Sequence, residues 1–192
     1  MAYPSEMSRW PGHPDPWTED DLARMPRDGN RYEIIDGALV VTPPADFGHH
    51  EIADDILVAL KLAASTGWRP IREIGIRLAG GSLVVPDVTV FRPGAPRDGN
   101  LADPAYVDLV VEVESPSSRR HDRFTKPGLY AEAGIASYWR VERTGSGPVA
   151  HLYQRATAGH YDLHRSVGSG ETFLVGEPFQ VSVDPQAWGY DA

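Results

Sequence analysis

Two acidic side chains lie within apolar runs of the sequence, where charged residues are uncommon. Asp87 follows Pro86 inside SLVVPDVTVF, and Glu112 lies near the end of VDLVVEVE. If the two runs form neighbouring strands, both carboxylates can bind the same divalent cation, because Mg²⁺ prefers oxygen ligands and often takes only one or two carboxylates. The pattern therefore predicts a metal site at the end of a sheet.

A basic, amphipathic segment, RRHDRFTKPGLYAEAG, follows the second run and contains Lys126. A bound divalent cation can lower the pKa of water and offset charge that develops on a phosphoryl group. A nearby lysine can stabilise the transition state electrostatically. Together, Asp87, Glu112 and Lys126 predict metal-dependent hydrolysis of a phosphoester.

Each of these three residues also has a simpler interpretation. Asp87 could start a turn after the proline, Glu112 could be a solvated residue at a strand edge, and Lys126 could be an ordinary surface lysine. Against these interpretations stands the cost of burying a carboxylate without a partner. An acid on a strand that is apolar on both faces needs a metal ion, a cation or water beside it.

Several other polar residues near these runs are weaker candidates. Glu114 shares a strand face with Glu112, because strand residues two apart point the same way, and we interpret it as an exposed residue rather than as a further acid of the site. His49 and His50 lie in the first turn of a predicted helix, where adjacent side chains face apart and cannot easily share an ion. We interpret three arginines as part of a basic surface and not as phosphate contacts: Arg119, Arg120 and Arg123.

An early hairpin and three helical segments are predicted. RYEIIDG and ALVVT form two strands joined at Asp36-Gly37, and Glu33 lies among apolar neighbours on the face that it shares with Arg31. Thr18 caps a short helix, and the periodicity of FGHHEIADDILVALKLAAS predicts a long helix that ends before Gly67. Residues 119–133 predict a third helix, which we expect to begin late or to bend at Pro127-Gly128.

The remaining strands place the two acids. IREIGIRL and SLVVPDVTVF are predicted as a strand pair joined through Gly80-Gly81, with Pro86 at an edge, a bulge or the point where a strand resumes. VDLVVEVE is predicted as a central strand, because it is apolar on both faces. From Ala136 onward, strand-like segments alternate with turns and predict a C-terminal β-meander, with Tyr138 and Trp139 in the core. The predicted fold class is mixed α/β (α+β).

A family resemblance covers roughly residues 17 to 185. It rests on the opening YEIIDGALVV, the histidine-led helix and these later residues: Pro86-Asp87, VEVESPSS, Asp122, Lys126, Tyr130, Gly134-Ile135 and Tyr138-Trp139. In this combination the chain resembles the Uma-type family, a widespread bacterial group of restriction-endonuclease-like proteins within the PD-(D/E)XK nuclease superfamily. The resemblance implies a restriction-endonuclease-like core: a mixed β-sheet flanked by helices, with a metal site at its centre.

The resemblance also implies roles for individual residues. Asp87 and Glu112 would bind the metal ion, Mg²⁺ or Mn²⁺, and the main-chain carbonyl of Val113 would complete the ligands. Glu114 occupies the position where the superfamily usually has its lysine. The chain therefore resembles members whose lysine lies on the next helix, which makes Lys126 the catalytic candidate. Glu33 matches an early family acid that contacts the metal directly or through water.

The bulk properties favour one domain in the cytoplasm. The chain has 192 residues, and we expect a flexible N-terminal arm over residues 1–16 and a single restriction-endonuclease-like domain over residues 17–192. The absence of cysteine excludes disulfides and thiolate metal sites. No apolar run is long enough to cross a membrane, and the first residues lack the pattern of a signal peptide. The net charge of -9 argues against a protein that clamps duplex DNA along a broad basic face.

The leading hypothesis is a metal-dependent endonuclease that hydrolyses phosphodiester bonds of nucleic acid, with DNA favoured. The alternative, from another class, is a nuclease-like fold that serves as a catalytically inactive binding or assembly module. A third and weaker hypothesis is a hydrolase of small phosphoesters. A cut in both strands of DNA needs two sites, so the leading hypothesis also favours a homodimer.

Overall fold

Strands dominate the part of the chain that the computed structural model describes, residues 16–157 and 159–189. The helices are α1 (Glu19–Leu22), α2 (Phe47–Ala63) and α3 (Lys126–Glu132). The strands are β1 (Arg31–Ile35), β2 (Ala38–Thr42), β3 (Arg69–Arg72), β4 (Gly75–Arg77), β5 (Leu83–Val84), β6 (Val88–Phe91), β7 (Leu101–Ala102), β8 (Val107–Val113), β9 (Ser137–Thr144), β10 (Gly147–Thr157), β11 (His160–Val167), β12 (Phe173–Val175) and β13 (Val181–Val183). The predicted arm lies outside the described residues, apart from Pro16.

The described strands form two mixed sheets and a small hairpin. The larger sheet has the order β11-β10-β9-β8-β6-β3, and it is mixed because β8 and β9 run parallel whereas its other neighbouring strands are antiparallel. The smaller sheet has the order β2-β1-β5-β4-β7, and β12 pairs with β13. These strands confirm the predicted mixed α/β class. β9 to β11 form the first part of the predicted meander, whereas β12 and β13, which were predicted to continue it, pair with each other in a separate hairpin.

The two runs predicted as one strand pair do pair with each other, but in two separate places, and a strand resumes after Pro86 as one of the predicted alternatives. Each run divides between the sheets: β3 and β6 belong to the larger sheet, whereas β4 and β5 belong to the smaller one. Glu73 makes the first crossing in a left-handed conformation with φ of 51°, and its N–H donates to the carbonyl of Asp87 at 3.3 Å. Pro86 lies at the second crossing, between β5 and β6, where no hydrogen bond between strands needs its missing N–H. Asp87 therefore lies where the two sheets meet.

The larger sheet is covered on both faces, which explains why β8 is apolar on both sides. One face packs against α2 through Ile56 and Leu60, and α2 also contacts β3, β6 and β13. The other face packs against α3 and the smaller sheet. Tyr138 and Trp139 are buried in the core on opposite faces, as predicted. Among the described residues, no helix is long and apolar enough to cross a membrane.

The segment before α3 explains how a proline fits beside Lys126. Residues 121–125 form a single π-helical turn, and the α-helix proper begins only at Lys126. Pro127 therefore lies in the first turn of α3, a position at which proline is common. α3 itself begins late, which is one of the two predicted alternatives, and it continues helical backbone that starts at Arg119. A π-helical turn inside a helical segment is frequently found at functional sites.

Candidate functional site

Adjacent strands bring the two predicted metal-binding acids together. In the antiparallel pair of β6 and β8, Val88 lies opposite Val111. Asp87 precedes Val88 and Glu112 follows Val111, so that the two acids lie beside each other. The Oδ2 atom of Asp87 accepts a hydrogen bond from the backbone N–H of Val113 at 2.8 Å. Both acids are buried, with about 1% of each residue exposed. The structure thus places Asp87, Glu112 and Val113 next to one another.

Lys126 enters the same site from α3. Its Nζ lies 3.0 Å from Oε1 of Glu112 and 3.0 Å from Oε1 of Glu33. It also lies 3.6 Å from Oδ1 of Asp122, one turn earlier. The Tyr130 hydroxyl donates a second hydrogen bond to Oε1 of Glu112, at 2.6 Å. A long cationic side chain that is almost fully buried is rare unless it is paired, and here three carboxyl groups surround it.

Glu33 reaches this site from the smaller sheet. Its Oε1 also accepts a hydrogen bond from the backbone N–H of Val85 at 2.7 Å, just before the chain crosses between the sheets. The structure therefore brings all four predicted catalytic side chains into one buried group. Its four carboxyl groups, called the acid cluster below, come from four different segments: Glu33, Asp87, Glu112 and Asp122.

Two further side chains hold Asp87. A guanidinium nitrogen of Arg31 lies 2.9 Å from Oδ1, and Nε2 of His49 lies 3.2 Å from Oδ2. Burial by itself would raise the pKa of Asp87. The His49 hydrogen bond, the Arg31 charge and the Val113 N–H together outweigh burial and hold that pKa below its usual range. Asp87 is therefore ionised and already has a partner for each oxygen.

Glu112 has the opposite electrostatic environment. Burial raises its pKa to about 8, with Asp122, Asp87 and Glu33 adding repulsion that the Lys126 charge only partly offsets. Burial likewise raises the pKa of Asp122 to about 6, against the opposing effect of Lys126. Burial is the largest cause of both shifts, and an excess of acid adds to it, because the four carboxyl groups of the cluster face the two cations Lys126 and Arg31. A further cation would relieve this excess.

The donor set fits a hard divalent cation of the kind that the resemblance implies. Asp87, Glu112 and the Val113 carbonyl offer only oxygen, which Mg²⁺ and Mn²⁺ accept. In the described part of the chain, no three His, Asp or Glu side chains are arranged so that they could hold an ion by themselves. Mg²⁺ does not require such a cage, because it usually binds one or two carboxylates and completes its shell with water and substrate phosphate.

A cleft of about 380 Å³ opens onto the Asp87 side of the cluster. Arg31, His49 and Asp87 line it together with the segments 29–30 and 42–45 that flank the β1–β2 hairpin. Ser115 and Ser118, from the loop after β8, are also part of its lining. Volumes of this order are common in ligand pockets. A solute that enters the cleft therefore meets Asp87 and Arg31, with Glu112 and Lys126 buried behind them.

The comparisons with known proteins agree with this architecture. The family model of Uma2, described as "Putative restriction endonuclease", matches residues 19–186. The chain belongs to the Uma2 family. Among solved structures, the chain is similar to "a putative nuclease belonging to DUF820" from Anabaena variabilis ATCC 29413, with 18% identity and a TM-score of 0.66, over 85% of this chain and 90% of that one. That similarity confirms the nuclease-like fold. Among curated proteins, none matches.

Four contributors to the site of this Uma2 family chain were not assigned a role from the sequence: Arg31, His49, Asp122 and Tyr130. Asp122 and Tyr130 are part of the family pattern, yet their contacts with Lys126 and Glu112 depend on the π-helical turn. The sequence did contain an indication of a role for Arg31, because this residue shares a strand face with Glu33. The prediction that the two histidines face apart is confirmed: His49 contacts Asp87, whereas Nδ1 of His50 lies 3.1 Å from a guanidinium nitrogen of Arg72.

The interpretation of Glu114 as an exposed residue is wrong. Its side chain is fully buried and bonds Arg123 through two hydrogen bonds of 2.6 and 2.8 Å. Arg140 also donates to it, and Arg119 lies 3.3 Å away. Two of the three arginines in the basic segment are therefore paired with this carboxylate, whereas Arg120 is exposed. Glu114 connects the end of β8 to β9 and to the turn that carries Asp122.

We expect Glu114→Gln to destabilise the protein by about 2–3 kcal/mol, because a neutral amide replaces the acceptor of several charge-assisted hydrogen bonds. Urea unfolding measures the change. Glu19→Gln is the matched control: Glu19 pairs with Arg77 where both side chains are about half exposed, so that its loss should cost less than about 1 kcal/mol. Equal effects of the two substitutions would show that the Glu114 contacts add no more than a surface pair.

Proposed function

We propose that this Uma2 family protein is a metal-dependent endonuclease that hydrolyses phosphodiester bonds of nucleic acid, with DNA as the favoured substrate. The observation that carries the proposal is the convergence of Asp87, which lines the cleft, with the buried Glu112 and Lys126 behind it, within a cluster that has more acid than cation. A structural ion pair would need one carboxylate for Lys126. The site has three carboxyl groups within 3.6 Å of that ammonium.

In this proposal Asp87, Glu112 and the Val113 carbonyl hold the cation. The cation, when bound, supplies acidification of water and compensation of charge on the phosphoryl group. The chain supplies the geometry. Hydrogen bonds from Val113 and His49 fix the orientation of Asp87, and Tyr130 fixes Glu112. Lys126 places a permanent positive charge beside Glu112, where it can stabilise the negative charge of the transition state.

The description of the family and the description of the structural neighbour as a nuclease support the same class of activity. The overall charge of -9 is compatible with it, because recognition of a phosphodiester depends on the local charge at the site. A part of that charge belongs to the acid cluster itself. DNA is favoured over RNA by the description of the family as restriction endonuclease.

The direct test is incubation of the purified protein with supercoiled plasmid, linear duplex, single-stranded DNA and RNA, each with Mg²⁺, Mn²⁺ or EDTA. We expect cleavage of at least one substrate with Mg²⁺ or Mn²⁺ and none with EDTA. Products that carry new internal ends distinguish an endonuclease from an exonuclease. The proposal would be contradicted if none of the four substrates is cleaved with either metal ion.

A second function, an inactive binding or assembly module, is favoured by one observation. Both acids already have cationic partners within the chain: Arg31 contacts Asp87, and Lys126 contacts Glu112. Such a site is stable without a metal ion. If calorimetric titration of Mg²⁺ and Mn²⁺, repeated with an oligonucleotide present, detects no metal binding, the module becomes the better account of the fold.

A further inference from the structure

Arg31 lies between the acid cluster and the cleft. One of its terminal nitrogens is 2.9 Å from Oδ1 of Asp87 and 3.2 Å from Oε1 of Glu73, and the other donates to the carbonyl of Val85 at 3.2 Å. About 21% of the Arg31 side chain is exposed, compared with 1% for Asp87. The guanidinium therefore covers Asp87 on the side from which a solute arrives.

This position follows from the register of β1. Arg31 and Glu33 are two residues apart and lie on the same face of the strand. Glu33 reaches inward to Lys126, whereas Arg31, at the start of the strand, reaches Asp87 at the mouth of the site. The same strand thus supplies an acid to the interior of the cluster and a cation to its entrance.

The pairing of Arg31 with Asp87 is in competition with the proposed function. A cation held by Asp87 would offset the negative charge that attracts Arg31. A guanidinium displaced from Asp87 remains charged and retains a planar set of donors that matches phosphate geometry. It lies in the lining of the cleft that leads to the site.

We propose that Arg31 binds a phosphate oxygen of the nucleic-acid strand in the cleft, and that Asp87 is its counter-ion while the cleft is empty. This inference rests on the proposed function, because the ligand is a phosphodiester of the proposed substrate. It adds to that function a substrate-binding residue, whose guanidinium leaves the Asp87 carboxylate and binds a phosphate oxygen when the nucleic acid enters the cleft.

The proposal predicts opposite effects of one substitution on two ligands. Arg31→Met removes a competitor from Asp87 and should strengthen Mg²⁺ binding several-fold. The same change removes a phosphate contact and should weaken binding of a short single-stranded DNA about ten-fold. The slope of log affinity against log salt should also fall by about 0.7, the value for one phosphate contact on a single strand. If Arg31 had only a structural role, the substitution would weaken the binding of both Mg²⁺ and DNA.

The experiment is fluorescence anisotropy of a labelled single-stranded DNA over a series of NaCl concentrations with Ca²⁺, together with calorimetry of Mg²⁺ binding without DNA. Arg92→Met is the matched control, because Arg92 also pairs with a carboxylate, that of Asp108 at 2.7 Å, and is not part of the cleft lining. We expect wild-type values for both ligands in this control. Arg31→Gln serves as a second variant if Arg31→Met does not fold.

Each outcome is decisive. The inference is overturned if the wild type does not bind the strand, or if the Arg31 variants keep the affinity and salt slope of the wild type. It is also overturned if Arg92→Met causes the same losses. If the wild type binds the strand through Arg31 but cleaves no substrate with Mg²⁺ or Mn²⁺, the proposed endonuclease fails while the assignment of Arg31 as a phosphate-binding residue stands.

Discussion

Glu112→Gln is expected to reduce metal-dependent cleavage by more than about 100-fold and to remove detectable Mg²⁺ binding. Loss of an outer-shell partner of a metal ligand already costs 10- to 100-fold, and Glu112 is proposed as a ligand itself. The substitution preserves the size of a side chain that is about 1% exposed. It also leaves an acceptor for the Tyr130 hydroxyl. The loss should therefore arise from the missing charge and not from altered packing.

The measurements are calorimetric titration of Mg²⁺ and Mn²⁺ and initial rates of plasmid cleavage. Asp87→Asn should give the same phenotype, because the two acids are proposed to hold one ion. Asp162→Asn is the control: its side chain is about 73% exposed on the meander, and we expect wild-type binding and rates. Retention of metal-dependent cleavage in both Glu112→Gln and Asp87→Asn would remove these acids from the mechanism.

The raised pKa of Glu112 gives this binding a pH dependence. Because that pKa is about 8 in the folded protein, Glu112 is largely protonated below pH 8, and a cation must displace the proton before it can bind. Apparent Mg²⁺ affinity should therefore rise with pH and level off above about pH 8. Calorimetry in two buffers with different ionisation enthalpies measures the proton release directly. An affinity that is constant from pH 6 to about pH 9 would contradict this assignment of the proton.

The central part of the site was predictable because it depends on local patterns. Apolar runs predicted the strands beside which Asp87 and Glu112 lie, and their positions as neighbours in the sheet were assumed in that prediction and are confirmed by the structure. Pro86 predicted an interruption beside Asp87. Lys126 was a candidate from its place on the basic segment, and the family resemblance favoured it over an ordinary surface lysine, because the spacing of a lone lysine does not distinguish the two.

The remaining contacts depend on where the chain changes sheets, and short-range periodicity carries no information about that. The left-handed conformation of Glu73 belongs to a residue that does not favour it, so that the division of IREIGIRL between β3 and β4 had no signal. The same crossings bring Arg31 to Asp87. Glu114 was misinterpreted for a related reason, because its partners Arg123 and Arg140 come from other elements.

Lys126→Met is expected to lower the rate of cleavage by about 100- to 1,000-fold, the range observed when one group that stabilises transition-state charge is removed. It should also destabilise the metal-free protein by about 3–5 kcal/mol near pH 9, because it leaves buried carboxylates without their cation. Methionine is close to lysine in shape. The effects therefore report the loss of the ammonium more than the creation of a cavity.

The sign of the pH dependence separates this electrostatic effect from a packing defect. Lys126 opposes the rise in the pKa values of Glu112 and Asp122, which are about 8 and about 6 in the folded protein. The stability that it contributes is present where those groups are ionised and is lost as the pH falls through 8 and then 6. The substitution also removes the 3.0 Å contact with Glu33 at both pH values, so that Lys126→Met should be less destabilising at pH 5 than at about pH 9, whereas a packing defect costs the same at both.

Urea unfolding at the two pH values measures this difference, with Lys61→Met, an exposed lysine on α2, as the control that should change neither stability nor rate. Mg²⁺ adds a second criterion. Because the variant has one cation fewer among the same acids, saturating Mg²⁺ should raise its melting temperature by more than that of the wild type. A variant that is equally destabilised at both pH values and gains nothing extra from Mg²⁺ would mean that Lys126 fills space in the core, and the excess of acid around it would then need another explanation.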